Sequence, residues 1–383
     1  MKIDLTKSVL IDNHAHSLLK RPLEIDVIGF RRAFTESNSM SIIQNHVPNS
    51  LHYMNMLEQL REIVSFNTEE ELIELRQKST TAAHVNELWD DASIGALLVD
   101  DGYLQPSMMP ISELSKVCER PVYRILRIET LLEKLFNESK TFSELEDALD
   151  AQLRSLDSSR VRVVGLKTVA AYRGGLPSDP HARSVSSKAD FDSIKKSVEL
   201  SKISFRMTKH PLYEQLLLQS FEIAGRLNLP IQVHTGIGDT DLVLHESNPT
   251  VMTPILKDKR FAACRFVFLH CYPYHREAAY LCSVFPNCYL DLSLTSILVS
   301  AAFRNILFET IASAPTSKIL AGTDGHSIPE MHWYGAITLK NNLSAVLNQL
   351  VSENYLKSVD AQRVAENILY ANCRELYQLE GLL

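Results

Sequence analysis

Eight short apolar runs separated by amphipathic helical patterns constrain this chain more than any other feature. They read "SVLIDNH", "IGALLVDDGY", "VYRILRIE", "VVGLKTV", "LPIQVHTG", "FVFLHCY", "CYLDLSL" and "KILAGTDG", starting near 8, 94, 122, 163, 229, 266, 288 and 318. Each is strand-length, and the gaps carry helical periodicity, as in "YEQLLLQSFEIAGRLN" at 213–228. Strands alternating with helices pair in parallel through right-handed crossovers. Eight such units in 383 residues predict an α/β chain folded as a closed (β/α)8 TIM barrel. Two gaps exceed a simple crossover. Residues 18–92 read as an all-helical insertion after strand 1, with "TEEELIELRQK" as one helix, and 172–222 hold the loop "RGGLPSDPHARS" and further helix. Both leave the C-terminal ends of strands, where barrel enzymes build their sites. Residues 1–383 are therefore expected to form a single barrel domain, with 18–92 as a helical cap.

Composition narrows the partners. Hydrophobic residues at 45% and charged ones at 22% suit a chain with a full core. A net charge of −7, with no block of Lys and Arg, argues against nucleic acid and leaves a small-molecule substrate. No run of eighteen apolar residues predicts a membrane span, and the first motif follows "MKIDLTKS" too closely for a signal peptide. The six cysteines fall outside C-x-x-C spacing and several lie in apolar runs, which fits a reducing cytoplasmic compartment. Exposed barrel faces leave a homo-oligomer open.

The polar residues at the strand ends form a pattern. "DNHAH" places His14 and His16 two residues apart, so in a strand both imidazoles point to one side. Glu129 ends run 3, Lys167 lies on run 4, His234 on run 5, His270 on run 6 and Asp324 on run 8. Each has a plain alternative, such as a core histidine for His270, a helix cap for Asp324 or a salt bridge to Arg127 or Arg173 for Glu129. In a barrel these ends converge on one mouth. Together they offer neutral nitrogens and carboxylates suited to Zn, Mn or Fe. Tyr172 and Arg173 follow run 4 closely, and an Arg there suits a substrate carboxylate. His326 follows Asp324 and is a further candidate for lining the site.

The motifs "GLKTVAAYRGGL", "LHCYPYHREAAYL", "NCYLDLSL" and "ILAGTDGHSIPEMHW", with the H-x-H, resemble the amidohydrolase superfamily of metal-dependent barrel hydrolases. Within it the chain is most similar to the amidohydrolase-2 branch, in particular the fluG-type barrel domain fused to glutamine synthetase-like domains. The segments "HVPNSLHY" and "ENILYANCRELYQL" fit that branch too. The resemblance implies that His14, His16 and His234 are metal ligands and Asp324 a ligand or the general base. It implies that His270 ligates a metal or polarises the substrate. Lys167 is either carboxylated between two metals or bound to a substrate carboxylate, and Glu129 is a candidate bridging ligand. His46 and Tyr53 would cap the site.

The activity so implied is hydrolysis of an amide or related C–N bond in a small polar, carboxylate-bearing molecule. A γ-glutamyl amide is one candidate, and one or two divalent ions would serve, zinc first. A metal-dependent decarboxylase of the same branch is the alternative, and a non-catalytic regulatory barrel the second.

Overall fold

The computed structural model describes residues 2–103, 107–156, 161–183, 186–201 and 205–379. Seven runs form strands: β1 (Leu10–Ala15), β2 (Ile94–Asp100), β3 (Val122–Arg127), β4 (Val163–Thr168), β5 (Ile231–Thr235), β6 (Phe266–His270) and β7 (Cys288–Leu290). They make one parallel sheet in the order β1 to β7, each strand beside its predecessor. The expected eighth strand is not one. Ile319 makes only an isolated parallel bridge to Leu290, Leu320 donates its N–H to the Leu290 carbonyl, and Asn13 donates to the Ala321 carbonyl. Residues 319–321 thus touch both edges of the curled sheet before the backbone turns away.

Both faces of the sheet are apolar, which is why the strands read as continuous hydrophobic runs rather than alternating ones. Outward residues such as Leu10, Leu97, Val99, Leu166, Phe266 and Phe268 join the large core under the helices. Ile11, Ala96, Leu98, Ile125, Val164, Val267, Leu269 and Leu320 face inward. Cys373, Leu376, Tyr377 and Leu379, from the end of the chain, fill the lumen beneath them.

Between β1 and β2 stand α1 (Val27–Arg32), α2 (Leu51–Arg61), α3 (Glu69–Gln77) and α4 (Thr81–Asp91). The helix expected from "TEEELIELRQK" begins where Thr68 accepts the Glu71 N–H and Glu71 accepts the Asn67 N–H, a local capping exchange. The other crossovers carry α5 (Ile111–Cys118), α6 (Ile128–Glu138), α7 (Phe142–Arg154), α8 (Ser187–Ser201), α9 (Pro211–Arg226), α10 (Thr253–Lys257) and α11 (His275–Val284). After β7 come α12 (Thr295–Leu298), α13 (Phe303–Ser313) and α14 (Pro329–Ser352). Residues 184–185 and 202–204 of the long 172–222 gap lie outside the described residues. Among the described residues no helix is long and apolar enough to cross a membrane.

The helices between β1 and β2 are tied to α14 by buried polar contacts. Glu330 receives Arg76 at 2.6 Å and His84 at 2.7 Å, all three side chains inaccessible or nearly so. Trp89 donates to the Pro329 carbonyl and Trp333 to Asp91. Burial pushes the Glu330 carboxyl up, but Arg76 and His84 outweigh it and hold it below the usual range. Glu330 therefore does not line the mouth of the sheet; it is the anchor of these helices. Substituting Glu330→Gln leaves the Arg76 charge buried and uncompensated, and should cost about 3–5 kcal/mol of unfolding free energy in a urea titration.

Candidate metal centre and active site

The carboxyl ends of β1 and β6 and the turn after residue 321 meet at one point. His14 Nε2 lies 3.1 Å and His16 Nε2 3.3 Å from Asp324 Oδ1, and His270 Nδ1 lies 3.7 Å from Asp324 Oδ2. His14, His270 and Asp324 form the group, among the described residues, whose ligand atoms all fall within 4.8 Å of one another. His234 joins this group through His270, Nδ1 to Nε2 at 3.1 Å. Lys167 Nζ stands 2.9 Å from His14 Nε2 and 3.3 Å from Asp100 Oδ2.

The backbone is bent to achieve this. His270 and Asp324 both have left-handed φ, 65° and 59°, a region costly for a residue with a Cβ. Thr323 is held by Asp12, whose carboxylate accepts from its N–H, and Asp324 donates its own N–H to the His14 carbonyl. At His270 the N–H is taken by Asp291, which also accepts from Ser293 and from Asn13 Nδ2.

Hydrogen-bond partners assign the tautomers. His16 Nδ1 donates to the Asp100 carbonyl at 2.9 Å, and His234 Nε2 donates to the Ile237 carbonyl at 3.1 Å. The Ser293 hydroxyl donates to Asp291, so it accepts from His270 Nδ1 at 2.9 Å. These choices leave bare lone pairs on His16 Nε2, His234 Nδ1 and His270 Nε2. Asp324 Oδ1 is also buried without a hydrogen bond. Acceptors therefore face acceptors at 3.1–3.3 Å with no hydrogen between them. Ligand bonds of about 2.0–2.2 Å place neighbouring ligand atoms at this sort of spacing. The donor set fits a divalent cation.

Electrostatics agree. Burial and nearby Lys167 lower His14 to about 3, burial and His270 push His234 well below its ordinary value, and burial lowers His270. All three imidazoles are neutral, the form that ligates. Despite its burial, Asp324 is held well below the usual carboxylate range, with the Nδ1–H side of His270 facing its Oδ2. Asp100 resists burial through Arg127 and Lys167 and stays ionised, while burial lowers the Lys167 amine.

A cavity of about 440 Å³ opens over this group. Tyr172, Arg173 and His326 line it with His16, Lys167, His234, His270 and Asp324. The Tyr172 ring lies 4.5 Å from that of His234, and a side chain at Gly238 would collide with its hydroxyl. Arg173 is bound to Glu133 at 3.3 Å. Burial lowers His326 to about 4.

Three expected residues stand elsewhere. Glu129 is not among the ligand atoms: it sits in the first turn of α6, and its carboxylate accepts from Thr168 Oγ1, the Val169 N–H and Tyr213. Its expected arginine partners are engaged too, Arg127 by Asp100 and Arg173 by Glu133. His46 is exposed and does not line the cavity. Tyr53 is fully buried against Phe30 and Phe34, with its hydroxyl on Glu69. The segment that does reach the cavity is earlier, contributing Ile25, Gly29, Arg32 and Glu36. Asp100, Arg127 and Tyr103 were also missed, although "LLVDDGY" ends a strand by the same rule that found the histidines.

This fold and this cluster define a metal-dependent enzyme of the amidohydrolase type. The amidohydrolase family model matches residues 143–379, and the chain belongs to that family. It is 27% identical over 97% of its length to Protein fluG of Emericella nidulans, of which it spans 46%. A provisionally named metal-dependent hydrolase from Lactobacillus casei ATCC 334 superposes with a TM-score of 0.86, at 27% identity and with all of both chains covered. A uronate isomerase from Bacillus halodurans shares the fold alone, with a TM-score of 0.61 and 12% identity over 98% and 94% of the two chains. The family implies a divalent metal. Elemental analysis after purification should find a divalent ion in the wild-type protein and in Glu129→Gln, and a loss of roughly 10-fold or more in metal affinity in His16→Ala. Full metal retention in His16→Ala would remove it from the ligand set.

Proposed function

We propose that this chain is a metal-dependent hydrolase that cleaves an amide or related C–N bond in a small carboxylate-bearing molecule, with a γ-glutamyl amide as the first candidate. The observation that carries the reading is the lone-pair cluster around Asp324 at the base of a cavity lined by Arg32, Lys167, Arg173 and Arg206. His14, His16, His234 and Asp324 would hold the ion, zinc first among candidates, with His270 beside them. A divalent ion there supplies a Lewis acid for a carbonyl and lowers the pKa of water towards 7.

The chain's own groups do the rest. Asp324 Oδ2, on the side of the carboxylate away from His14 and His16, takes a proton from the attacking water and returns it to the departing nitrogen. Asp100 orients the site by accepting from Arg127 and Lys167 through its carboxylate and from His16 through its carbonyl. The cationic rim orients the substrate carboxylate and favours charge developing on the carbonyl oxygen. The helices of 18–92 act as a cap on a single barrel domain spanning 1–383, with 25–36 closing over the mouth and excluding water. The lowered Lys167 amine is suited to substrate contact or to carboxylation.

The test is a screen of γ-glutamyl amides and simple acyl amides with the metal-loaded protein, measuring both released amine and CO2. Amine release supports the reading, and CO2 release replaces it with a decarboxylase. Asp324→Asn, which keeps shape and removes basicity, should lower turnover by roughly 10²-fold or more. Near-normal turnover in that variant would take the base role from Asp324.

A further inference from the structure

Among the described residues, two ionisable groups of opposite type in the cavity lining, one basic and one acidic, have no charged partner, and both come from the inserted segment. Among the cations of the lining, Arg127 is paired with Asp100, Lys167 with Asp100 and His14, Arg173 with Glu133 and Arg206 with Asp241. Arg32 meets only neutral groups, the Asn38 amide oxygen and the Met40 sulfur. Among the acids, Asp324 is surrounded by histidines and Asp239 accepts the Asp241 N–H. Among the described residues Glu36 has no hydrogen bond and no ion pair.

Arg32 and Glu36 lie four residues apart, yet do not pair. In a helix that spacing would bring them together. Here α1 ends at Arg32, capped by Ala33, so the chain carries Glu36 away from it while both still line the cavity. Two aromatic walls, Tyr103 and Tyr172, complete this part of the lining. Carboxylate beside aromatic faces is the combination that favours an ammonium group. A guanidinium facing the same space favours a carboxylate.

We infer that Glu36 recognises a free ammonium group on the substrate while Arg32 takes the neighbouring carboxylate, so that the cavity selects an α-amino acid head. The assignment rests on reading the cavity as the substrate site of the proposed hydrolase. It also accounts for a cost: burial, with Asp324 and Asp239 nearby, pushes the Glu36 carboxyl up to about 8. An ammonium seated against it removes that penalty. The same head without its amine leaves Glu36 desolvated and unpaired, which a polar site rejects strongly.

The experiment measures binding, not turnover. L-Glutamate and glutarate, which differ only in the amine, are titrated calorimetrically into the metal-loaded protein and into Glu36→Gln. The wild type should bind L-glutamate at least about ten-fold more tightly, the scale of one charged hydrogen bond. In Glu36→Gln the two affinities should converge. Equal affinities in the wild type, failure of both to bind, or undiminished preference in Glu36→Gln would each overturn the assignment. The outcome separates cleanly from the reaction type. A Glu36-dependent preference in a protein that releases CO2 keeps the recognition and discards the hydrolase, whereas amine release without the preference does the reverse.

Discussion

The Asp324 carboxylate is a buried negative charge, and the rest of the site is arranged around keeping it there. An unpaired ion in such a place would ordinarily neutralise itself by taking up a proton. Here His14, His16 and His270 crowd its two oxygens, and the N–H groups of His16 and His270 are already spent on the Asp100 carbonyl and on Ser293. Electron pairs therefore accumulate where a cation can collect them. The left-handed turns at His270 and Asp324 are the conformational cost of this convergence. Asp12, Asp291 and Thr323 supply the hydrogen bonds that hold those turns.

A second tier fixes directions. Asn13 bridges β1 to Asp291 of the β7 end, and Gln232 of β5 donates to both the Asn13 carbonyl and the Tyr377 hydroxyl. These amides are inside the curled sheet, where every polar atom without a partner is expensive. Asp100 does similar work on the other side, shared between Arg127 and Lys167. A change in either frame would reach the histidines by rotating their supports rather than by touching them.

The strands were legible because burial on both faces writes them as unbroken apolar runs. The histidines and Asp324 were legible because they end those runs. The eighth run misled for a local reason: 319–321 and 324 touch the sheet edges through single bonds, and the left-handed turn at Asp324 keeps them from forming a regular ladder. Glu129 misled because it lies two residues beyond β3, where the start of α6 turns its carboxylate back onto Thr168 and Val169. The resemblance of "HVPNSLHY" to its family placed Tyr53 over the site but could not say what its ring meets, and Tyr53 meets Phe30 and Phe34. Arg32 and Glu36 were invisible because a helix end followed by irregular chain has no period to read.

The lumen filled by Cys373, Leu376, Tyr377 and Leu379 bears on how such a chain is made. A ribosome delivers β1 long before it delivers these residues, yet Ile11 packs in the same inner cluster as Leu379. Until residues 373–379 are in place, the inward faces of the strands have no floor and present apolar surface and the Gln232 amide to water. Closing contacts of such sequence separation are slow to form. The inner face of the sheet is therefore closed by residues 373–379 through contacts of very long sequence separation, so its packing cannot be completed strand by strand from β1.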